Sequence, residues 1–491
     1  MLFLRKIFFY IFLIIYLIVC PLIILYAFGF IFKPGGTTKV TQTGLIYLAT
    51  APTGADVYLD RKQYDRKTPT IITGLLPGKY KIILHARGYR PWTHSIEVKV
   101  GKAAVLDKIL LVPLKIAGDV KAEDDFRDIK FLPANGHLLL SKENTLGETY
   151  VFDCMREKIW PLVDKNSTFS EEALNNIISA GKDNSCLLIT ENKEKKKYLW
   201  VTIEEEKNSI KNITKLFPIE PTSVKWMPQS SQLFALQAGC INKIDAGNRA
   251  IYPEYLKKIK GFDIHESFIY ALTENNTLLK IASDGGWAGK TIFNEPAIKD
   301  AVFGSSRAYD VKVCPRNCMI FVGEKGELLT NHLPYKFVDN GVLGHEFCAK
   351  DRKILIWTKD KIGVLDLRTE RTGDVEFEIP PRLKWIYEKG IDIKQAFWAY
   401  DAAYIIFKDG DKVFLMESEW LDGPNVRDIV TVKTGTSVYY TEQTGNIYYL
   451  DAESGELKSV KIIPDKELIP LSFAETKIAK EIKEVINVGG I

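Results

Sequence analysis

The 491-residue sequence predicts an all-β protein carried on one N-terminal transmembrane helix, with a small β-sandwich after the helix and a β-propeller of seven or eight blades after that. Three observations carry the prediction. An uncharged apolar run opens the chain. Short β-branched and aromatic runs separated by turn residues fill residues 44–113. From residue 119 to 464 a four-strand theme then returns about every 33–50 residues, the spacing of propeller blades.

The opening run, Ile7 to Phe32, holds no charged residue and exceeds the roughly 20 residues that cross a hydrocarbon core. Arg5 and Lys6 precede it on a very short tail, and only Lys33 and Lys39 follow closely. The positive-inside bias therefore places the N-terminus in the cytoplasm and everything after Lys33 outside. A cleaved signal peptide would have an apolar stretch of only about 7–15 residues ending in small side chains. A lipid-attachment signal would set a small residue before its cysteine, where Val19 precedes Cys20. Residues 1–33 thus read as an uncleaved anchor, and the Gly/Thr-rich residues 34–43 as a linker.

Beyond the linker, strands are expected at Leu45–Ala49, Val57–Leu59, Tyr80–Ala86 and Ile96–Val100. Turns separate them at Pro52-Thr53-Gly54-Ala55, Thr68-Pro69, Leu76-Pro77-Gly78-Lys79 and Arg87-Gly88-Tyr89, where Pro presets φ and Gly supplies positive φ. The stretches APTGADVYLD (51–60), TPTIITGLLPGKYKIILHARGYRPW (68–92) and IEVKVG (96–101) resemble the PEGA domain, an envelope-associated β-sandwich module. Two turns depart from its pattern, with Thr53 in place of the Glu of the name and Arg61 in place of a Gly after Asp60. The resemblance implies an extracytoplasmic spacer without catalytic residues. Tyr89 and Trp92 are the candidate glycan contacts there, against the alternative that they close the end of the sandwich core.

In the propeller region the clearest units begin at Asp128 and at Arg427, with further openings at Ile177, Ser223, Phe262, Asp310, His345 and Gln395. The last unit reads as four consecutive strands, Arg427–Val432, Ser437–Glu442, Asn446–Asp451 and Leu457–Ile462. A lone blade leaves both sheet faces open, while a closed ring stacks each sheet on its neighbours. Two separate sandwiches are the alternative. Unit length and pattern resemble WD-repeat propellers, although the diagnostic Trp-Asp and Gly-His dipeptides are missing.

Local motifs for chemistry are scarce. Net charge is +4, with both signs interleaved, which gives no basic face for nucleic acid. The histidines (His85, His94, His137, His265, His332, His345) form no metal-binding pair, and no cofactor or metal is expected. Ser283 to Thr291 ends in Gly-Lys-Thr, but only three residues separate Gly285 from Gly289 where a phosphate-binding loop needs four. Cys314 and Cys318 are spaced for neither a redox Cys-x-x-Cys nor a zinc half-site, and the seven cysteines read mainly as buried thiols, with one or more disulfides as the alternative.

Ser472 and Glu475 make a capping box ahead of an apolar stripe of Phe473, Ile478, Ile482, Val485 and Ile486. Residues 472–488 are therefore expected to form an amphipathic helix, packed on the propeller or on a partner. Together these features point to a non-enzymatic binding or scaffold protein of the bacterial cytoplasmic membrane, its bulk outside, with an envelope protein or glycan as partner. The competing class is a propeller enzyme acting on envelope polysaccharide, with carboxylates gathered at the central channel from distant blades. Spacing along the chain is blind to such a site.

Overall fold

The computed structural model describes residues 2–463 except 28, 33–39, 133–135, 180–183, 193–194, 205–207, 228–229, 284–289, 294–305, 315–317, 332, 349–351, 368, 373–374, 379–380 and 421–422. The expected C-terminal helix, residues 472–488, lies outside the described residues, as do the side chains of Arg5, Lys6 and Ile7. Two compact units emerge. One takes in Met1–Ile116 with the segment Glu419–Gly423, the other Ala117–Ser418 with Pro424–Val460.

The first unit opens with a helix, Leu2–Ala27, of 26 residues. Its hydrophobic face runs all the way round: Phe9, Phe12, Leu17 and Ile23 are 60–72% exposed. Among the described residues no helix is long and apolar enough to cross a membrane. The expected end of the span is corrected. The helix stops at Ala27, and Gly29 at φ 76° turns the chain into a strand, Phe30–Phe32, that pairs with Val40–Gln42. Phe32 is therefore a strand residue, and the expected linker contributes a strand of its own.

The sandwich follows. One sheet is ordered Thr70–Leu75, Gly44–Ala51, Ala103–Leu110, and the other Lys62–Tyr64, Asp56–Leu59, Gly78–His85, Trp92–Val98. Alternation decides which side chains enter the core: Trp92, His94, Ile96 and Val98 point inward along one strand, with Thr93, Ser95 and Glu97 more exposed. They meet Ile46, Leu48, Ile72 and Ile109 of the other sheet. Thr68 Oγ1 accepts from Ala55 N–H at 3.0 Å and lies 2.5 Å from Thr50 Oγ1, which ties the Pro52 turn to the Pro69 turn. Four strands coincide with expectation, while Lys62–Tyr64, Thr70–Leu75 and Ala103–Leu110 are additional.

The second unit contains, among the described residues, eight four-stranded antiparallel sheets. Their inner strands are Asp128–Leu132, Ala173–Ser179, Ser223–Trp226, Ile259–His265, Tyr309–Val313, Gly344–Cys348, Ile393–Ala399 and Tyr439–Thr441. We number the blades in that order. Second strands are the most deeply buried, as in His137–Ser141, where every residue is buried, because neighbouring sheets cover both faces. The sixth blade carries an extra hairpin, Thr369–Thr372 with Val375–Glu378, between its third and fourth strands.

Ring closure differs from expectation. Val426–Thr431 is the outer strand of the seventh blade, not the opening of the eighth. The eighth blade instead takes its outer strand from the start of the unit: Asp119–Ala122 pairs antiparallel with Leu457–Ser459. Closing a ring with strands from both ends of the repeat region ties those ends together in one sheet. The core there mixes Phe126, Ile129, Leu138, Leu140 and Phe152 of the first blade with Tyr448, Leu450 and Leu457 of the eighth.

Candidate functional site

Each blade of the ring is tied to the next, and the ties at the inner strands define its centre. Between the first and second blades Lys130 Nζ donates to Leu174 O and Asn175 O at 3.4 and 3.3 Å. Second and third blades share an apolar core that includes Leu187, Tyr198, Val224 and Leu233. From the fourth blade onward a recurring device appears. Asp263 Oδ2 accepts from Val313 N–H at 2.9 Å, Glu346 Oε2 from Trp398 N–H at 2.7 Å, and Gln395 Oε1 from Val438 N–H at 2.9 Å. In each case an inner-strand side chain accepts a main-chain N–H of the following inner strand or its approach. Each bond satisfies a donor that would otherwise be stranded where no ladder partner exists. Close backbone approach is required as well. A Cβ on Gly261 would meet Tyr309 O at 2.1 Å.

These acceptors sit among charges. Asp263, 4% exposed, lies 3.9 Å from both the Lys225 and Lys312 ammoniums, and Lys225 pairs with Asp310 at 3.1 Å. Three successive blades thus present an alternating network at their inner strands. His345, on the sixth, is held neutral by burial, its pKa lowered, with Asp310 opposing that shift and Lys312 adding to it. Beside it the Glu346 carboxyl is pushed up to about 7, mainly by burial, with Glu442 of the eighth blade adding to the rise and the Trp398 N–H opposing it. Glu442 itself accepts from Asp401 N–H at 3.1 Å and from Tyr440 O–H at 2.7 Å.

Glu346 makes stability depend on pH. Its folded pKa lies above its ordinary value of 4.5, so the folded state holds a proton that the unfolded chain releases. The stabilisation is complete below the ordinary value and is lost as pH rises through about 7. Glu346→Gln keeps an acceptor for Trp398 N–H and removes the titration. Relative to wild type, the variant's melting temperature is expected to rise between pH 5 and pH 7.5, read by thermal unfolding at a series of pH values. A difference that stays constant across that range would contradict the assignment.

The sequence-derived candidates are placed elsewhere. Trp92 is 4% exposed, with its ring edge-on to His94 at 4.9 Å and to Trp420 at 5.2 Å. Trp420, from the segment Glu419–Gly423, stacks on His94 at 3.9 Å. Trp92 is thus buried in the sandwich core, the alternative weighed for it from the sequence, and presents no open ring face to a sugar. Tyr89 is half-buried against the same core and bridges to Pro113. Phe473, Ile478, Ile482, Val485 and Ile486 lie outside the described residues. Among the described residues no group of three or more His, Cys, Asp or Glu side chains is placed to hold a metal ion. The residues missed, Asp263, Glu346 and Gln395, recur 43 to 52 positions ahead of the N–H they accept. That spacing is close to one blade, and a polar residue repeating at inner-strand openings is the only signal that points to them.

Residues 43–110 match the family model of the PEGA domain. This part of the chain is a PEGA domain. The strand order of the first unit supplies its sandwich, and the second unit is β-propeller-like. No curated protein matches the chain in sequence. Among solved structures the chain is similar to the β-propeller domain of Myceliophteria thermophila Cps50 (Swd1), at 10% identity and TM-score 0.36, covering 71% of this chain and 100% of that one. It is also similar to Kluyveromyces lactis Hsv2, at 8% identity and TM-score 0.40, covering 64% and 98%. PorZ, a surface component of the type-IX secretion system of Porphyromonas gingivalis, matches at 11% identity and TM-score 0.36, covering 68% of this chain and 42% of that one. The propeller-like assignment rests on the strand order and the closing strand, not on these likenesses.

Proposed function

We propose that this protein is a non-enzymatic binding or scaffold protein, anchored in the bacterial cytoplasmic membrane by its N-terminal helix. In this reading the PEGA domain is a spacer outside the cytoplasm and the propeller-like unit is the recognition head. One observation carries the anchoring. A 26-residue helix is about 39 Å long, and its apolar side chains are exposed on every face, an arrangement stable only where lipid or protein covers them. Arg5 and Lys6 at its start orient it with the N-terminus inside. A binding role is supported by the use made of the inner-strand carboxylates. Asp263 and Glu346 hold the next inner strands and Glu442 holds the turn at Asp401, which suits a rigid platform.

A second reading is favoured by one feature. Glu346, held at about 7 mainly by burial with the Glu442 charge adding to the rise, is the group from which a polysaccharide-cleaving propeller would draw its acid. One experiment separates the two. Full-length protein is used to capture partners from detergent-solubilised envelope, and the same preparation is assayed for release of sugar from envelope polysaccharide. A binding protein enriches one envelope protein or glycan reproducibly and releases no sugar. Sugar release that disappears in Glu346→Gln would overturn the binding reading.

A further inference from the structure

Two cysteines face each other across the hairpin that opens the fifth blade. Tyr309–Val313 pairs with Met319–Gly323 in a register that sets Val313 against Met319. Cys314 and Cys318 are the next pair outward, and Cys314 N–H donates to Cys318 C=O at 2.7 Å. A hydrogen-bonded antiparallel pair of this kind has Cα atoms about 5.5 Å apart. That falls inside the roughly 4.4–6.8 Å that a disulfide accepts. Both thiols are free, 1% and 6% exposed, in a pocket shared with Ile320, Leu328, Ile354 and Ile356.

We propose that Cys314 and Cys318 are a redox pair that closes to an intramolecular disulfide. With oxidised glutathione as the oxidant, one protein thiolate attacks the glutathione disulfide and releases one glutathione thiol. The second protein thiolate then attacks the mixed disulfide and releases the other. Two protein thiols and one small disulfide thereby give one protein disulfide and two small thiols. Burial and the neighbouring thiol raise the Cys314 pKa, so thiolate is scarce in the closed hairpin and exchange runs as the chain folds or as the hairpin opens. Closure pins the end of Tyr309–Val313, the strand that carries Asp310 and Lys312 into the charge network. The pairing follows from the hairpin alone and does not depend on which compartment the protein occupies.

The test uses the purified full chain in detergent, unfolded and refolded in oxidised glutathione, then alkylated under denaturing conditions, digested and weighed. The expected result is a Cys314–Cys318 peptide lighter by two hydrogens and without alkyl groups. Cys154 and Cys186, buried on other blades, should be alkylated in full. Reduction before alkylation should restore both labels. Full alkylation of Cys314 and Cys318 after oxidation, glutathione retained on each, or linkage of either to a different cysteine would overturn the proposal.

Discussion

Phe126→Ala is expected to destabilise the propeller-like unit by about 3–5 kcal/mol, the usual cost of deleting a fully buried aromatic side chain. Phe126 has no exposed surface and packs with first-blade residues Ile129, Leu138 and Phe152 and with eighth-blade residues Tyr448, Leu450 and Leu457. Its main chain joins the same seam, since Phe126 N–H donates to Gly455 O at 3.1 Å. Tyr448 O–H crosses the seam as well, donating to Cys154 O at 3.1 Å. The substitution removes a ring from the one place where the ends of the repeat region meet, so the cavity opens between blades and not within one. Denaturant unfolding checks this by the shift in midpoint, with Met155→Ala as the control. Met155 is 61% exposed, and its truncation should change stability by no more than about 0.5 kcal/mol. A loss below about 1 kcal/mol for Phe126→Ala would mean that the seam is not a packed interface.

The repeat was legible because each blade reissues the same burial problem. Ile177, Ser223, Phe262, Asp310, His345 and Gln395, taken from the sequence as openings, all fall within inner strands. The join was not legible. Nothing local to Asp119–Ala122 says that it pairs with Leu457–Ser459, because register between distant strands is set by closure of the ring and not by propensity. Reading Arg427–Val432 as an opening strand, where Val426–Thr431 is the outer strand of the seventh blade, was the consequence. At the helix end hydropathy misled for a similar reason. Phe30–Phe32 is as apolar as the helix before it, and only the backbone turn at Gly29 separates them.

The candidate site was less legible still. Trp92 looks the same in sequence whether its ring is bare or buried, and the side chain that helps bury it, Trp420, arrives from a segment far along the chain. Asp263, Glu346 and Glu442 belong to three different blades, so no spacing rule could gather them. The facing thiols of Cys314 and Cys318 needed only a local register, yet a search for linear motifs passed over them.

The proposed anchoring puts the bulk of the chain outside the cytoplasmic membrane, and a measurement of topology decides it. Two reporters are fused in turn after Ile491, one active only outside the cytoplasmic membrane and one fluorescent only inside. In the proposed topology Arg5 and Lys6 would hold the short tail inside, and the uncharged run from Ile7 onward would be covered by lipid. The effect is all-or-none, because a folded domain of this size does not cross back. The proposed topology gives reporter activity outside, no fluorescence inside, and full-length protein in the membrane fraction. Fluorescence inside, or an exported but shortened and soluble product, would contradict it.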